Sequence, residues 1–263
     1  MILDKIAEAT TFRIKNDKQQ IPLEAIKNLA EEMNHNTLFP FEKAIRNGDI
    51  SFICEVKKAS PSKGIIAENF PYVEIAKDYE RAGASCISVL TEPDFFKGCN
   101  EYLTEIKKNV SIPLLRKDFI LEPYQIYQAK VIGADCILLI CSLLDEKILE
   151  EYIHICDKLG LSALVEAFDE KEIAAALNAG ARMIGVNNRN LKTFDVDIHN
   201  SERLRKSVPD NILFVAESGI KTASDIKILR DSKVNAVLIG ETLMRSKDKK
   251  EMLNELRGSY DKN

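Results

Sequence analysis

Short, continuously apolar runs alternate with amphipathic stretches along most of this chain. The runs are SFICEVK (51–57), CISVL (86–90), PLLRK (113–117), CILLI (136–140), SALVE (162–166), RMIGVN (182–187), ILFVAE (212–217) and NAVLIG (235–240). They are rich in Val, Ile and Leu, the pattern of strands covered on both faces in a parallel sheet. Helical spacing predicts helices over 71–82, 99–109, 122–131, 144–159, 169–179, 199–206, 222–231 and 248–257. The clearest is 144–159, where Ile148, Leu149, Tyr152, Ile153 and Cys156 keep helical spacing. Asp145 near its start and Gly160 after its end are the expected punctuation. A phrase Gly-Ala-x-x-Ile recurs as GASCI (83–87), GADCI (133–137) and GARMI (180–184), each time between a helix and an apolar run. Glycine readily takes the left-handed conformation that ends a helix.

Eight strands, each followed by a helix, predict a (β/α)8 TIM barrel. An open doubly wound sheet is the structural alternative. The barrel is favoured because the eight units fill the chain after residue 50 and no GxGxxG follows the first strand. Residues 1–50 are expected to form a helical extension packed on the barrel, with helices at LEAIKNLAEEM (23–33) and FEKAIRNGD (41–49), and residues 51–263 the barrel itself.

Composition narrows the function classes. The 263 residues carry a net charge of −4, which offers no basic footprint for nucleic acid. The longest apolar stretch, CILLIC, is far too short to span a bilayer. No apolar leader stands at the N-terminus, so a cytoplasmic location is expected. The six cysteines form no CxxC pair and the three histidines do not cluster with them, which argues against zinc. Cys54, Cys86 and Cys136 lie in apolar runs and read as buried thiols.

The charges that interrupt the apolar runs carry the chemistry. Side chains alternate along a strand, so in 51–57 Phe52, Cys54 and Val56 share the face towards the helices, while Ile53, Glu55 and Lys57 face the barrel interior. Glu55 and Lys57 fall at the C-terminal end, where barrel active sites lie. Lys117, Glu166, Asn187 (with Arg189 next on the alternation) and Glu217 end four further strands. Any one of them reads as a solvated strand end or a structural ion pair; five strands delivering such side chains to one rim point to a site. Two glycine turns, Glu217-Ser218-Gly219-Ile220 and Ile239-Gly240-Glu241-Thr242, follow the last two strands. Loops in those positions often hold phosphate through backbone N–H groups. Ser60 or Ser62 in the SPSKG turn would add a hydroxyl, and Lys57 a charge.

At these residues the sequence resembles the indole-3-glycerol phosphate synthase family. The carrying motifs are ICEVKKASPSKG, SVLTEPDFFKG, LLRKDFI, GADCILLI, ALVEAF, IGVNNRNL, VAESGI and LIGETLM, in order from about residue 40 to 245. The resemblance implies closure of the indole ring of 1-(2-carboxyphenylamino)-1-deoxyribulose 5-phosphate with loss of carbon dioxide and water, without metal or organic cofactor, on the route to tryptophan. It implies Lys117 as general acid for ring closure and Glu166 as proton acceptor in dehydration. Lys57 would hold the substrate carboxylate or phosphate and donate a proton in dehydration. Glu55 and Asn187 would orient these groups, and Glu217 would complete the rim. Arg189 would stand near the anthranilate part. Ser60, Ser218, Gly219, Gly240 and Glu241 would cradle phosphate, and Phe96, Phe119, Leu138, Leu191 and Leu238 would line an aromatic pocket. The partner is then a phosphorylated anthranilate–sugar, with no nucleic acid or membrane involved, and the chain is expected to be a monomer.

Two expectations follow for the electrostatics. Neighbouring ammonium groups lower each other's proton affinity, so Lys117 is expected to be tuned downward by Lys57, with Glu55, Glu166 and Glu217 offsetting part of the effect. Glu166 is expected on the side of the barrel opposite both lysines. The competing enzyme reading is phosphoribosylanthranilate isomerase, which would need a Cys/Asp pair; Cys54 is on the wrong face for that. A phosphate-ligand sensor on the same scaffold has no use for two interior lysines and a facing glutamate.

Overall fold

The computed structural model describes residues 2–46, 48–190 and 195–258. Eight parallel strands close into a barrel: β1 (Ser51–Val56), β2 (Cys86–Leu90), β3 (Leu114–Lys117), β4 (Cys136–Ile140), β5 (Ser162–Ala167), β6 (Met183–Asn187), β7 (Leu213–Glu217) and β8 (Ala236–Ile239). Each strand pairs with its sequence neighbours, and β8 returns to β1 with Ile53 opposite Leu238. The sheet therefore has no edge to protect.

The alternation read from the sequence separates two cores. Phe52, Cys54 and Val56 pack outward with the helices, in a shell that includes Ile87, Ile137, Val165, Ile184 and Val237. Ile53, Cys86, Leu115, Leu138, Leu164, Met183, Val215 and Leu238 fill the inside of the barrel. The three Gly-Ala turns are built alike. Gly83, Gly133 and Gly180 all have positive φ, and the N–H groups of Ala84, Ala134 and Ala181 reach back to Tyr79, Ala129 and Ala176. That back-bond satisfies a helix-terminal carbonyl and turns the chain into the next strand.

Twelve helices are described. The ones that follow barrel strands lie within a residue or two of the expected bounds, as with α7 (Glu146–Leu159), capped by the Asp145 carboxylate on the Ile148 N–H and ended by left-handed Gly160. Three features go beyond the sequence reading. The N-terminal α1 (Ile2–Gln20) buries only Ile6, Thr10 and Ile14, a one-residue-wide stripe at i, i+4 and i+8 that leaves little amphipathic signal. A five-residue helix α11 (Glu241–Arg245) follows β8, and a short antiparallel ribbon joins Ala59–Ser60 to Gly64–Ile65. The expected helix over 41–49 is shorter, α3 (Pro40–Ile45).

Residues 2–46 run from one end of the barrel to the other. At the C-terminal mouth, Arg13 of α1 pairs with Asp118, just after β3, at 2.7 Å, and Lys18 pairs with Glu122. Next, α2 (Leu23–Glu31) packs along α6 (Pro123–Val131). Finally α3 reaches the opposite end, where fully buried Phe41 and Ile45 join the interior cluster and plug it.

Candidate active site

The strand ends bring Glu55, Lys57, Lys117, Glu166, Asn187 and Glu217 to the C-terminal mouth. All but the lysines are at least nine-tenths buried, and the Lys117 side chain is 14% exposed. Lys117 Nζ donates to Glu217 and lies 3.4 Å from Glu166 Oε2. Lys57 Nζ lies 2.5 Å from Glu55 Oε1. The mouth thus holds two ion pairs, with Glu166 as a third carboxylate leaning on one of them.

The expected geometry needs one correction. In the barrel order β5 is opposite β1, so Glu166 does face Lys57, but β3 and β5 are separated by a single strand. The group directly across from Lys117 is Glu217 on β7, and the lysine spans the interior to reach it.

The expected electrostatics are also reversed. Burial pushes the Lys117 amine down, but Glu217, Glu166 and Glu55 together outweigh it and hold the amine above the ordinary lysine range. Lys57 does not drive Lys117 downward, because its own charge is met by Glu55. Burial pushes Glu217 up to about 7, and the Glu166 and Glu55 charges add to this against the opposing pull of Lys117. The two shifts differ in their main cause, burial for Glu217 and neighbouring carboxylates for Lys117, but in both the crowding of carboxylates favours the protonated form.

Around this centre, Asn187 Oδ1 accepts the Arg189 N–H at 2.9 Å, which sets the turn leaving β6. Ser218 and Gly219 both have positive φ. A Cβ on Gly219 would strike Val196, which overlies it from the preceding loop, and a Cβ on Gly240 would collide with Glu55 Oε1 and come within 2.9 Å of Lys57 Nζ. Gly240 thus sits against the Glu55–Lys57 pair. Thr242 Oγ1 donates to the Ile220 carbonyl at 2.9 Å and ties the two glycine turns together. Glu241 is 3.8 Å from Lys63, beyond Ser60 in the loop after β1. Phe96 and Phe119 lie with ring centroids 6.0 Å apart, and Leu138 and Leu238 form part of the floor. Leu191, expected in the same pocket, lies outside the described residues. Cys54 is wholly buried in the outer shell, and burial pushes its thiol well above the ordinary range.

Three buried polar residues near the mouth were missed. The Glu92 carboxylate accepts the N–H groups of Asp94, Phe95 and Phe96 at 2.7–3.0 Å and so shapes the loop that presents Phe96. Asn188 accepts from the Ser201 N–H and hydroxyl and donates to the Ser218 carbonyl at 3.1 Å. Asp118 is enclosed by Arg13, Arg116 and Thr91. Each lies inside one of the quoted motifs with no role assigned to it, and an acidic or amide side chain in an apolar setting was the available signal.

Fold and mouth define a class: a (β/α)8-barrel enzyme with ionisable groups gathered at the C-terminal end of its strands. The family model described as indole-3-glycerol phosphate synthase matches residues 3–256. A relative of that name from Ruminiclostridium cellulolyticum is 61% identical, over 98% of this chain and 100% of its own. One of the same name from Lachnoclostridium phytofermentans is 54% identical, over 98% of this chain and 99% of its own. The chain belongs to the indole-3-glycerol phosphate synthase family, carboxy-lyases of tryptophan biosynthesis. Among solved structures, a 3-hexulose-6-phosphate synthase superposes with a TM-score of 0.62 at 14% identity, over 80% of this chain and 99% of that one, a likeness of fold alone. Among the described residues, no helix is long and apolar enough to cross a membrane.

Proposed function

We propose that the mouth closes the indole ring of 1-(2-carboxyphenylamino)-1-deoxyribulose 5-phosphate with Lys117 as the acid. The observation that carries this reading is the Lys117 ammonium, held inside an apolar tube by Glu217 and Glu166. As the anilino ring carbon attacks the ketone, a C–C bond forms and the carbonyl electron pair moves onto oxygen. Lys117 gives that oxygen its proton. The amine's raised proton affinity does not forbid the step, because an alkoxide is a stronger base than an amine.

Loss of carbon dioxide then returns the C–C bonding electrons to the ring and restores its aromaticity. Dehydration needs a proton for the departing hydroxyl and an acceptor for the proton whose loss makes the last double bond. Lys57 is assigned the first role and Glu166, across the barrel from it, the second. Glu55 orients Lys57 through their ion pair, Asn187 shapes the exit of β6, and Glu217 buffers the charge on Lys117. Arg189 is assigned to the anthranilate part. Ser60 and the backbone of Ser218, Gly219, Gly240 and Glu241 are assigned to the phosphate. Phe96, Phe119, Leu138 and Leu238 are assigned to the aromatic ring. The free cysteines support a reducing, cytoplasmic setting.

The test is to supply the carboxyphenylamino-deoxyribulose phosphate and follow indole fluorescence and carbon dioxide together. Both should rise in step. In Glu166→Gln, kcat should fall by about 10²–10⁴, the usual worth of a positioned acid–base group, with KM little changed. A raised KM at unchanged kcat would reassign Glu166 to binding.

A further inference from the structure

Behind the catalytic lysine lies a second polar cluster that the reaction does not use. Asp118 follows Lys117 and, by strand alternation, points away from the barrel interior while Lys117 and Phe119 point towards it. Its side chain is fully enclosed. Oδ1 accepts from Arg13 Nη2 at 2.7 Å and from the Phe119 N–H at 2.8 Å. Oδ2 accepts from the Thr91 hydroxyl at 2.7 Å and from Arg116 Nη2 at 3.1 Å. The carboxylate is therefore saturated, as a buried charge must be. Burial pushes Asp118 up, but Arg13 and Arg116 outweigh it and keep the group below the ordinary carboxylate range.

The partners of Asp118 lead in three directions. Arg13 belongs to α1. Thr91 starts the loop that carries Phe96, and its N–H donates to the Lys117 carbonyl at 3.1 Å. Arg116 runs back into the barrel wall, donating to the Gln125 carbonyl and to Gln128. One carboxylate thus joins the N-terminal helix and the Phe96 loop to the Lys117–Phe119 segment.

We propose that Arg13 is a positioning residue for ring closure: through Asp118 it fixes the backbone on which Lys117 and Phe119 stand, making the N-terminal helix part of the working site. This rests on the assignment of Lys117 as the acid. Arg13 touches no group assigned to the chemistry and acts only through its neighbour. Its removal leaves Asp118 with Arg116, Thr91 and the Phe119 N–H, so the barrel retains a paired carboxylate and folds.

The experiment compares Arg13→Met, Arg13→Lys, Lys18→Met and Thr91→Val with the unaltered protein on the same substrate, at a temperature well below unfolding. Misplacement of a reacting group by about an ångström costs up to about a hundredfold in rate. Arg13→Met should lower kcat by about ten- to a hundredfold while KM moves far less, and Arg13→Lys should recover much of the loss. Lys18→Met removes another tie between α1 and the barrel, to Glu122, and should keep its kcat. Thr91→Val takes one donor from Asp118 and should lower kcat in the same direction by less; if Arg13→Met does not fold, Arg13→Gln, which removes the charge and keeps a polar side chain, takes its place with the same expected loss of kcat and the same contradicting result. Unchanged kcat in Arg13→Met, or equal losses in Arg13→Met and Lys18→Met, would overturn the proposal. No turnover by the unaltered protein would instead defeat the assignment of function.

Discussion

The two ends of this barrel are made from the same strands and do opposite things. At the N-terminal end, Ile53, Cys86, Met183 and Leu213 meet Phe41 and Ile45 of α3, and the interior closes as an apolar plug. Charge contacts sit on its rim, where Arg182 pairs with Glu42 at 2.9 Å and with Asp157 at 2.8 Å. At the C-terminal end the same inward positions carry Glu55, Lys117, Glu166, Asn187 and Glu217. One end gains stability by removing apolar surface from water. The other confines charges that each cost free energy to bury and that only mutual pairing makes tolerable. The contrast supports the proposal that the charges at the mouth serve chemistry, because the plug shows what these strands do when packing alone is served.

That contrast can be broken from either side. Phe41 is fully buried, and Phe41→Ala should cost about 3–5 kcal/mol of stability, read from denaturant unfolding. Catalysis per folded molecule should be unchanged at low temperature. A loss of kcat with intact folding would mean that the two ends are coupled. At the mouth the effects should fall on function. A methyl group in Gly240→Ala would press on Glu55 and Lys57, so KM should rise about tenfold, about 1.4 kcal/mol of binding, with a small change in stability. An unchanged KM would detach Gly240 from substrate binding.

The smallest effect is a dependence on pH. Glu217 stands at about 7 in the folded chain, above its ordinary value when unfolded. Between the ordinary carboxylate range and about 7, the folded chain holds a proton that the unfolded chain has released. This group's contribution to stability therefore falls as pH rises through that window. Unfolding midpoints measured across it should decline more steeply in the unaltered protein than in Glu217→Gln. Equal slopes would place the extra proton elsewhere.

Much of this architecture was legible in the sequence because it rests on strong local signals. Eight apolar runs, helical periodicity and three Gly-Ala turns are each set by neighbours a few residues apart. The strand-end charges were legible for the same reason, since alternation fixes which face each side chain takes. What escaped depends on long-range contact. The narrow stripe of α1 has meaning only once Ile14 packs with Ile26 and Tyr124, and Arg13 only once it meets Asp118, 105 residues away. The state of Lys117 was expected in the wrong direction because the sequence displays two lysines on one rim but not which carboxylate meets which. Lys57 is neutralised by its strand neighbour Glu55, and Lys117 crosses the barrel to Glu217. Counting like charges therefore overstated their repulsion.

The proposed ring closure depends on Lys117 as the proton donor in the first step. The most direct measurement is the kcat of Lys117→Met on the carboxyphenylamino-deoxyribulose phosphate, followed by indole fluorescence with carbon dioxide release in parallel. The prediction is a fall of about 10²–10⁴, with the fold intact and KM changed far less. Turnover at the unaltered rate would contradict it.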